Sequence, residues 1–219
     1  IKEFFKQRKE DYLYWLEWNK NSPSMYVRLY SQPCFIGDKL RDHFFGRQKS
    51  TILTSSTIKV NGSFDFFKER LGITDMAAAA YAYKSPFHYE KQVKMLIASD
   101  LPEVNKVSNE DYSRELAAYI EEAAAVSNGR MLILFTSKEM LKDTHAFLKA
   151  GDKLDGFNIL SQGISSNSKS RLIKYFRSYE KSILLGTASF WDGLDLPGDI
   201  LKCLLLVRLP FSSPADPLT

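Results

Sequence analysis

MLILF, at Met131–Phe135, is the stretch of sequence that decides the fold class. An apolar run without polar alternation is typical of a strand that is buried on both faces of a parallel sheet. Three more short apolar segments predict further strands, and they lie at Phe157–Leu160, Ser182–Leu185 and Leu201–Val207. Each is short enough for a strand and too short for an ordinary helix.

Helical patterns separate these strands. Ser108, with Asp111 three residues later, resembles a capping box at the start of a helix that Gly129 terminates. Thr136-Ser137 is predicted to cap a second helix ending at Gly151, and Lys169–Tyr179 forms a third. Alternating strands and helices predict an α/β fold, with a mainly parallel sheet and helices on both of its faces.

The first part of the chain is aromatic and less regular. Its pattern predicts a strand pair, a short amphipathic helix, a β-branched strand and a second helix that starts at a Ser cap. These elements are Tyr12–Trp18 and Met25–Tyr30 with a turn at Asn19–Ser24, the helix within Phe35–Phe45, the strand Ser50–Thr54, and the helix from Ser63 to Gly72.

Composition describes an ordinary globular protein. Of 219 residues, 44% are hydrophobic and 26% are charged, and no apolar run approaches membrane-spanning length. We therefore expect a cytoplasmic protein with no membrane partner. The net charge of +4 is compatible with nucleic acid but does not argue for it. Because the chain opens without an initiating Met, we interpret its ends as the edges of a fragment.

The two cysteines give little chemistry. Cys34 and Cys203 are far apart in the sequence and no CxxC spacing occurs, which argues against a disulfide framework or a cysteine metal site. We expect both to be small buried apolar side chains. No metal site is predicted in this chain.

Unusual residues gather in four loops that follow predicted strands. These loops are Thr54–Thr57, Thr136-Ser137, Ser161–Ser168 and Gly186–Gly198. In α/β folds, ligands bind at the carboxyl ends of the strands, so these loops are the candidate site.

The most specific loop reads GTASFWDGLDLPG at Gly186–Gly198. Glycines such as Gly193 let backbone amides approach an anion, and Asp195 is suited to accept hydrogen bonds from a hydroxyl or from metal-bound water. Phe190 or Trp191 offers a ring face to a base. The alternative interpretation is a turn-rich loop whose aromatic residues fill the core and whose Asp residues cap turns.

This loop resembles motif V, GxxSFWEGxDxPG, of the DinG-type and XPD-type helicases of superfamily two. The sequence departs from it chiefly at Asp192, where Glu is usual. The following Leu206–Phe211, with Pro214, Asp216 and Pro217, is also similar to the family's next segment.

Three upstream segments extend the resemblance in the family's order. Leu134–Ser137 resembles motif IV, and Leu160–Gly163 resembles the short QG signature after it. Leu53–Ile58 resembles motif III, TSATL, with Ser56 for Ala and Ile58 for Leu. The residues SFW at Ser189–Trp191 and LPF at Leu209–Phe211 are most similar to those of the bacterial DinG branch.

The resemblance implies an ATP-driven motor that acts on single-stranded DNA through two RecA-like lobes. Residues 1–58 would be the end of the first lobe, and residues 59–219 the second lobe, truncated before motif VI. Coupling of nucleotide state to DNA grip would fall on Thr54, Ser55 and Thr57. DNA contacts would fall on Ser137, Gln162, Gly163, Thr187 and Phe190, and nucleotide contacts on Gly193 and Asp195. Ser137 is also expected as a helix cap.

Parts of the ATPase site are missing from this sequence. No GxxxxGK[ST] motif and no Asp-Glu pair occurs, although such motors use them to bind phosphates and magnesium. The family's motif VI arginine would follow Thr219. ATP and Mg²⁺ are therefore the expected cofactors of an intact parent protein, and the fragment alone is predicted not to hydrolyse ATP.

Two alternatives remain open at this point. One is a non-catalytic RecA-like module that binds nucleic acid or protein. The other is a small-molecule α/β enzyme that uses Gly186–Gly198 as a phosphate cradle, although no GxGxxG motif supports it. His43, His88 and His145 are interpreted as surface or half-buried side chains. The oligomeric state is left open.

Overall fold

The structure is a computed structural model that describes residues 2–6, 9–19, 26–191, 193–211 and 217. Its described residues form two compact units, one up to Lys94 and the other from Met95 to Phe211. Asp192, Pro214, Asp216 and all of the predicted turn at Asn19–Ser24 except Asn19 itself lie outside the described residues.

The described residues of the first unit form a two-stranded antiparallel sheet and four short α-helices. The elements are α1 (Lys2–Lys6), β1 (Tyr12–Asn19), β2 (Tyr26–Pro33), α2 (Gly37–His43), α3 (Asp65–Leu71) and α4 (Tyr89–Gln92). The rings of Trp15 and Tyr30 face each other across the strand pair, with centroids 4.8 Å apart. The predicted strand pair and the helix within Phe35–Phe45 are confirmed.

The predicted strand at Ser50–Thr54 is wrong. The segment has no regular structure, and Ile52 is 91% exposed. A β-branched run forms a strand only beside a partner that accepts its backbone hydrogen bonds, and no part of the chain that the structure describes pairs with this one. The next helix begins at Asp65, with Phe64 rather than Ser63 as its cap residue, and ends at Gly72 as predicted.

The second unit is an α/β sheet domain. Its elements are α5 (Asn109–Ser127), β3 (Met131–Leu134), α6 (Lys138–Ala150), β4 (Asn158–Ser161), α7 (Lys169–Ser178), β5 (Ser182–Gly186) and β6 (Cys203–Leu206). The strands are all parallel, in the order β4-β5-β3-β6. The predicted parallel sheet is confirmed, and the fold is RecA-like α/β.

Both faces of this sheet carry helices, as predicted. On one face, Ile133 and Leu185 pack with α5 and α6 in a core that includes Ile120 and Leu141. On the other, Leu132, Leu134 and Leu184 pack against α7 through its Leu172 and Phe176. Alternate side chains of β3 and β5 face opposite sides of the sheet, so each helical layer packs against its own set of apolar residues. Full burial of one such side chain contributes about 1.5–3 kcal/mol.

Side-chain caps set the helix starts. Ser108 Oγ accepts from the Asp111 N–H at 3.0 Å and donates to the Asp111 carboxylate at 2.7 Å, which confirms the predicted cap. Ser137 caps α6 as predicted, and such a cap contributes about 1 kcal/mol. No helix in the described ranges is long and apolar enough to cross a membrane.

Both cysteines are free thiols. Cys203 is half-buried beside the core of α5 and α6, and burial raises the pKa of its thiol. Cys34 is exposed. The prediction that both are buried is therefore wrong for Cys34, which follows the last residue of the exposed strand β2.

Candidate functional site

Three loops leave the parallel sheet at its carboxyl edge. In the register, Leu134 lies opposite Gly186, and Ser161 lies opposite Leu185. The residues that follow β3, β4 and β5 therefore emerge side by side. Ser137, Gln162 and the loop Gly186–Gly198, which come from separate parts of the sequence, border one edge of the fold as predicted for an α/β site.

Gln162 ties two of these loops together. Its Oε1 accepts from the Thr187 N–H at 2.9 Å and from the Thr187 hydroxyl at 3.0 Å. Its Nε2 donates to Ser189 Oγ at 3.1 Å. One side chain after β4 thus supplies three hydrogen bonds to the start of the loop after β5, and it fixes the direction in which that loop leaves the sheet.

The predicted DNA contact of Thr187 does not agree with this geometry. Thr187 is only 6% exposed, and its hydroxyl proton is donated to Gln162. A phosphate oxygen accepts hydrogen bonds, and Thr187 has no side-chain donor left for it. Gln162 itself is half-buried and retains one N–H of its amide group, because only one of the two is used on Ser189.

Phe190 is a core residue. Its side chain is 1% exposed and packs with Leu132, Leu184 and Phe176 beneath the sheet. A Cβ added at Gly186 would lie 2.6 Å from Phe190 Cγ, so a glycine is what lets the ring close against the strand. The ring has no exposed face for a base, so its packing does not support the predicted contact of Phe190 with DNA. The alternative interpretation of the loop aromatics is favoured here.

Trp191 gives the loop a further attachment. Its indole Nε1 donates to the carbonyl oxygen of Phe135 at 3.4 Å, directly after β3. The ring is half-buried against the same cluster as Phe190. The first turn of the loop is therefore anchored to β3 and β4 together.

Two basic side chains of α7 donate hydrogen bonds to the loop Gly186–Gly198. The sequence analysis did not predict either contact. Lys169 Nζ donates to the carbonyl oxygen of Ser189 at 2.6 Å and lies 5.6 Å from the centre of the Phe190 ring. Arg177 donates to the backbone oxygen of Asp195. Basic residues on a helix are usually solvated. The sequence offers one indication of this role for Lys169. The residue directly follows Ser168, the cap of a helix that starts near the carboxyl edge of the sheet.

Gly193 and Asp195 lie on the exposed part of the loop. Gly193 has φ +67°, a left-handed conformation that strains other residues, and a Cβ placed there would reach only Lys169 Nζ, at 3.9 Å. Asp195 is exposed, and its backbone oxygen rather than its carboxylate is the group that Arg177 contacts. The open backbone at Gly193 and the carboxylate of Asp195 lie on the part of the loop that the sequence analysis predicted to contact nucleotide.

Ser137 and Gly163 follow β3 and β4, the two strands that neighbour β5 on either side. Ser137 Oγ accepts from the Met140 N–H at 3.3 Å, which leaves its hydroxyl proton for a second acceptor. Gly163 is exposed and has open space around its Cβ position, but its N–H already donates to the carbonyl oxygen of Ser166 at 3.0 Å. Gly163 therefore lets a ligand approach the backbone closely, but its N–H is already used in a hydrogen bond within the protein.

Thr54, Ser55 and Thr57 belong to the first unit. All three are exposed. Ser55 Oγ lies 3.2 Å from Thr57 Oγ1 and accepts from the Thr57 N–H at 3.3 Å, so the contacts of these residues form a local turn. Within the described ranges no group of three or more His, Cys, Asp and Glu residues is arranged to hold a metal ion.

Comparisons with known proteins identify the family of the chain. Residues 120–219 match the family model of the helicase C-terminal domain. The chain is 37% identical over 218 residues to the 3'-5' exonuclease DinG of Bacillus subtilis (strain 168) and 34% identical over 207 residues to the ATP-dependent DNA helicase YoaA of Escherichia coli (strain K12). The chain belongs to the DinG-type helicase family.

This DinG-type chain spans only part of its relatives. All of the chain aligns with 23% of the Bacillus subtilis protein, and 94% of it aligns with 30% of the Escherichia coli protein. A DinG of Staphylococcus aureus is 28% identical over 185 residues, which cover 84% of the chain and 20% of that relative. The helicase C-terminal match contains the loops after β3, β4 and β5.

Proposed function

We propose that this chain supplies motifs III to V of an ATP-dependent DNA helicase that moves on single-stranded DNA. The observation that carries the proposal is the gathering of three loops at one sheet edge, with Gln162 bonded across two of them. Relatives such as YoaA are named ATP-dependent DNA helicases, and the chain covers less than a third of their length. The activity therefore belongs to a longer protein.

On the nucleotide flank, Gly193 and Asp195 carry the proposed role. Asp195 is exposed, and a carboxylate accepts hydrogen bonds from a ribose hydroxyl or from water bound to Mg²⁺. Gly193 allows close approach of a phosphate. Most contacts with ATP and Mg²⁺ would come from a phosphate-binding loop and an Asp-Glu pair, which this sequence does not contain.

On the DNA flank, the donors that support the proposal are the Ser137 hydroxyl and the second amide N–H of Gln162. Both are suited to phosphodiester oxygens, and contacts of this kind position a strand without reading its sequence. Gly163 provides room for the backbone of the strand. Thr187 and Phe190 take a different role from the predicted one, because they hold the loop in place from inside.

We further propose that residues 1–58 close the first RecA-like lobe and residues 59–219 belong to the second. Thr54, Ser55 and Thr57 would then couple the state of the nucleotide to the grip on DNA. The compact units divide later, between Lys94 and Met95.

The decisive experiment replaces Asp195 in a full-length protein that carries this chain. Asp195→Ala should lower DNA-stimulated ATP hydrolysis by about 100-fold, because groups that bind charge at the reacting site commonly contribute that much. Asp199→Ala removes an exposed carboxylate four residues further on and is the matched control, with turnover near that of the unaltered protein. Equal turnover in the Asp195 and Asp199 variants would contradict the assigned role.

The 219-residue chain provides a second test. It should bind single-stranded DNA modestly and show no ATP turnover above background. Robust hydrolysis by this chain alone would show that the missing phosphate-binding parts are not needed, and the proposed division of labour would be wrong.

A further inference from the structure

Helix α7 contacts the loop Gly186–Gly198 through Lys169 and Arg177, and its other basic side chains, both exposed, are Arg171 and Lys174. Leu172 and Phe176 bury its inner side, whereas Arg171, Lys174 and Arg177 are exposed. No acidic residue occurs anywhere from Phe157 to Tyr179. The helix and the loop before it thus contribute only positive or neutral side chains to the surface.

Three cations elsewhere in this unit form ion pairs with carboxylates. Arg114 bonds to Glu110 and Asp111, Lys106 to Glu103, and Lys153 to Glu121. Among the described residues, neither Arg171 nor Lys174 forms such an ion pair. Like charges three residues apart on one helix repel each other by a few tenths of a kcal/mol, and a polyanion on this face removes that cost.

Exposed aromatic rings lie beside these charges. Tyr175 is 40% and Tyr179 43% exposed, and their ring centroids are 6.4 Å apart. Arg171 and Tyr175 are four residues apart on α7 and lie along one ridge of the helix, and Tyr179 is the residue that follows its last turn. Cations that track a phosphate backbone, next to rings that stack on bases, are the usual components of a surface for single-stranded nucleic acid.

This face adjoins the candidate site at both of its ends. The helix starts after the loop that carries Gln162 and Gly163, and Arg177, near its end, contacts the loop of Asp195. We propose that Arg171, Lys174, Tyr175 and Tyr179 bind single-stranded DNA and extend its contact beyond the sheet-edge loops, an inference that rests on the proposed function for its partner. The rings favour a nucleic acid over an acidic protein surface.

Charge neutralisation on α7 tests this surface. In the 219-residue chain, Arg171→Gln/Lys174→Gln is compared with Lys142→Gln/Lys149→Gln, which removes two exposed charges from α6 on the opposite face of the sheet. Binding of a fluorescent oligo-dT is followed by anisotropy at 50 and 200 mM salt. The urea unfolding midpoint of each variant should match that of the unaltered chain, because all four side chains are exposed.

The expected result follows from counterion release. Loss of two phosphate contacts lowers the slope of log affinity against log salt by about 1.4, so the α7 variant's deficit at 50 mM salt is about sevenfold larger than at 200 mM. The α6 variant should bind within about twofold of the unaltered chain, because it changes only the net charge. Equal losses in both variants, or no loss in the α7 variant, would overturn the proposal.

Base stacking is tested with Tyr175→Leu, which keeps an apolar side chain but removes the ring. This variant should lose about tenfold in affinity for oligo-dT and keep its affinity for an abasic phosphodiester of equal length. If both the Tyr175→Leu and the Arg171→Gln/Lys174→Gln variants bind oligo-dT as tightly as the unaltered chain, no specific nucleic-acid surface exists here. The same conclusion follows if the variants lose as much affinity for heparin as for oligo-dT.

These results are separable from the proposed function. If Asp195→Ala abolishes turnover in the full-length protein while the α7 variant binds DNA normally, the motor assignment stands and the α7 surface is refuted. If Asp195→Ala leaves turnover intact while only the α7 variant loses DNA binding, the surface stands without the motor.

Discussion

Replacement of Gln162 by Met tests the feature on which the candidate site depends. Met has a similar length but no strong acceptor, so the buried Thr187 N–H loses its partner, as do the Thr187 hydroxyl and the exposed Ser189 hydroxyl. A buried donor left unsatisfied costs about 1–3 kcal/mol, while the hydroxyls can rotate toward other acceptors. We expect the free energy of unfolding to fall by about 2–3 kcal/mol, a large part of the 5–15 kcal/mol of a typical domain.

Gln162→Glu is the matched control, because its carboxylate keeps an acceptor for both Thr187 donors at neutral pH. It should cost less than about 1 kcal/mol. Urea unfolding of the 219-residue chain gives both values, and hydrogen exchange at the Thr187 amide should accelerate in the Met variant only. If the Met variant unfolds within about 0.5 kcal/mol of the unaltered chain, the bonds made by Gln162 do not fix the loop.

Three further outcomes are expected. Phe190→Ala should lower the free energy of unfolding by about 3–5 kcal/mol in urea, since the ring is fully buried; a loss below 1 kcal/mol would contradict its core role. Burial, with Lys149 nearby, lowers the pKa of His145 below its ordinary 6.5. The folded state then binds fewer protons, so stability should fall as pH drops below about 6.5, and His145→Gln should remove that part of the slope. Cys34 should react with a thiol reagent without denaturant and Cys203 only slowly, because burial raises the pKa of the Cys203 thiol; equal rates would count against this.

The sequence predicted the sheet unit well because burial there is simple. Met131–Phe135 and Ser182–Leu185 are apolar at every or nearly every position, and only a strand covered on both faces needs that pattern. Caps such as Ser108 and Ser137 are local features whose hydrogen bonds depend on nearby residues alone. In this part of the chain, the secondary structure that each segment favours locally is also the one that the fold requires.

Prediction failed where the outcome depends on distant partners. The β-branched run Ser50–Thr54 has the propensity of a strand, but a strand requires a neighbour that propensity does not reveal. For the loop aromatics, the pattern fits a base contact and a core position equally well. Only the packing of Phe190 beneath the sheet, against Phe176 and Leu184, distinguishes them. Likewise, nothing in the local sequence shows that Gln162 faces Thr187, 25 residues away.

The arrangement of the loop Gly186–Gly198 joins stability to the proposed chemistry. Its first half is held inside by Phe190, Trp191 and the bonds from Gln162, while Gly193 and Asp195 are exposed further along the loop. A group that must meet charge at a fixed position gains from such preorganisation, because little reordering is needed when the ligand arrives. The buried half of the motif therefore has a functional consequence although it touches neither ligand. Mutations at Gln162 should loosen the placement of Asp195 without removing any group that binds nucleotide.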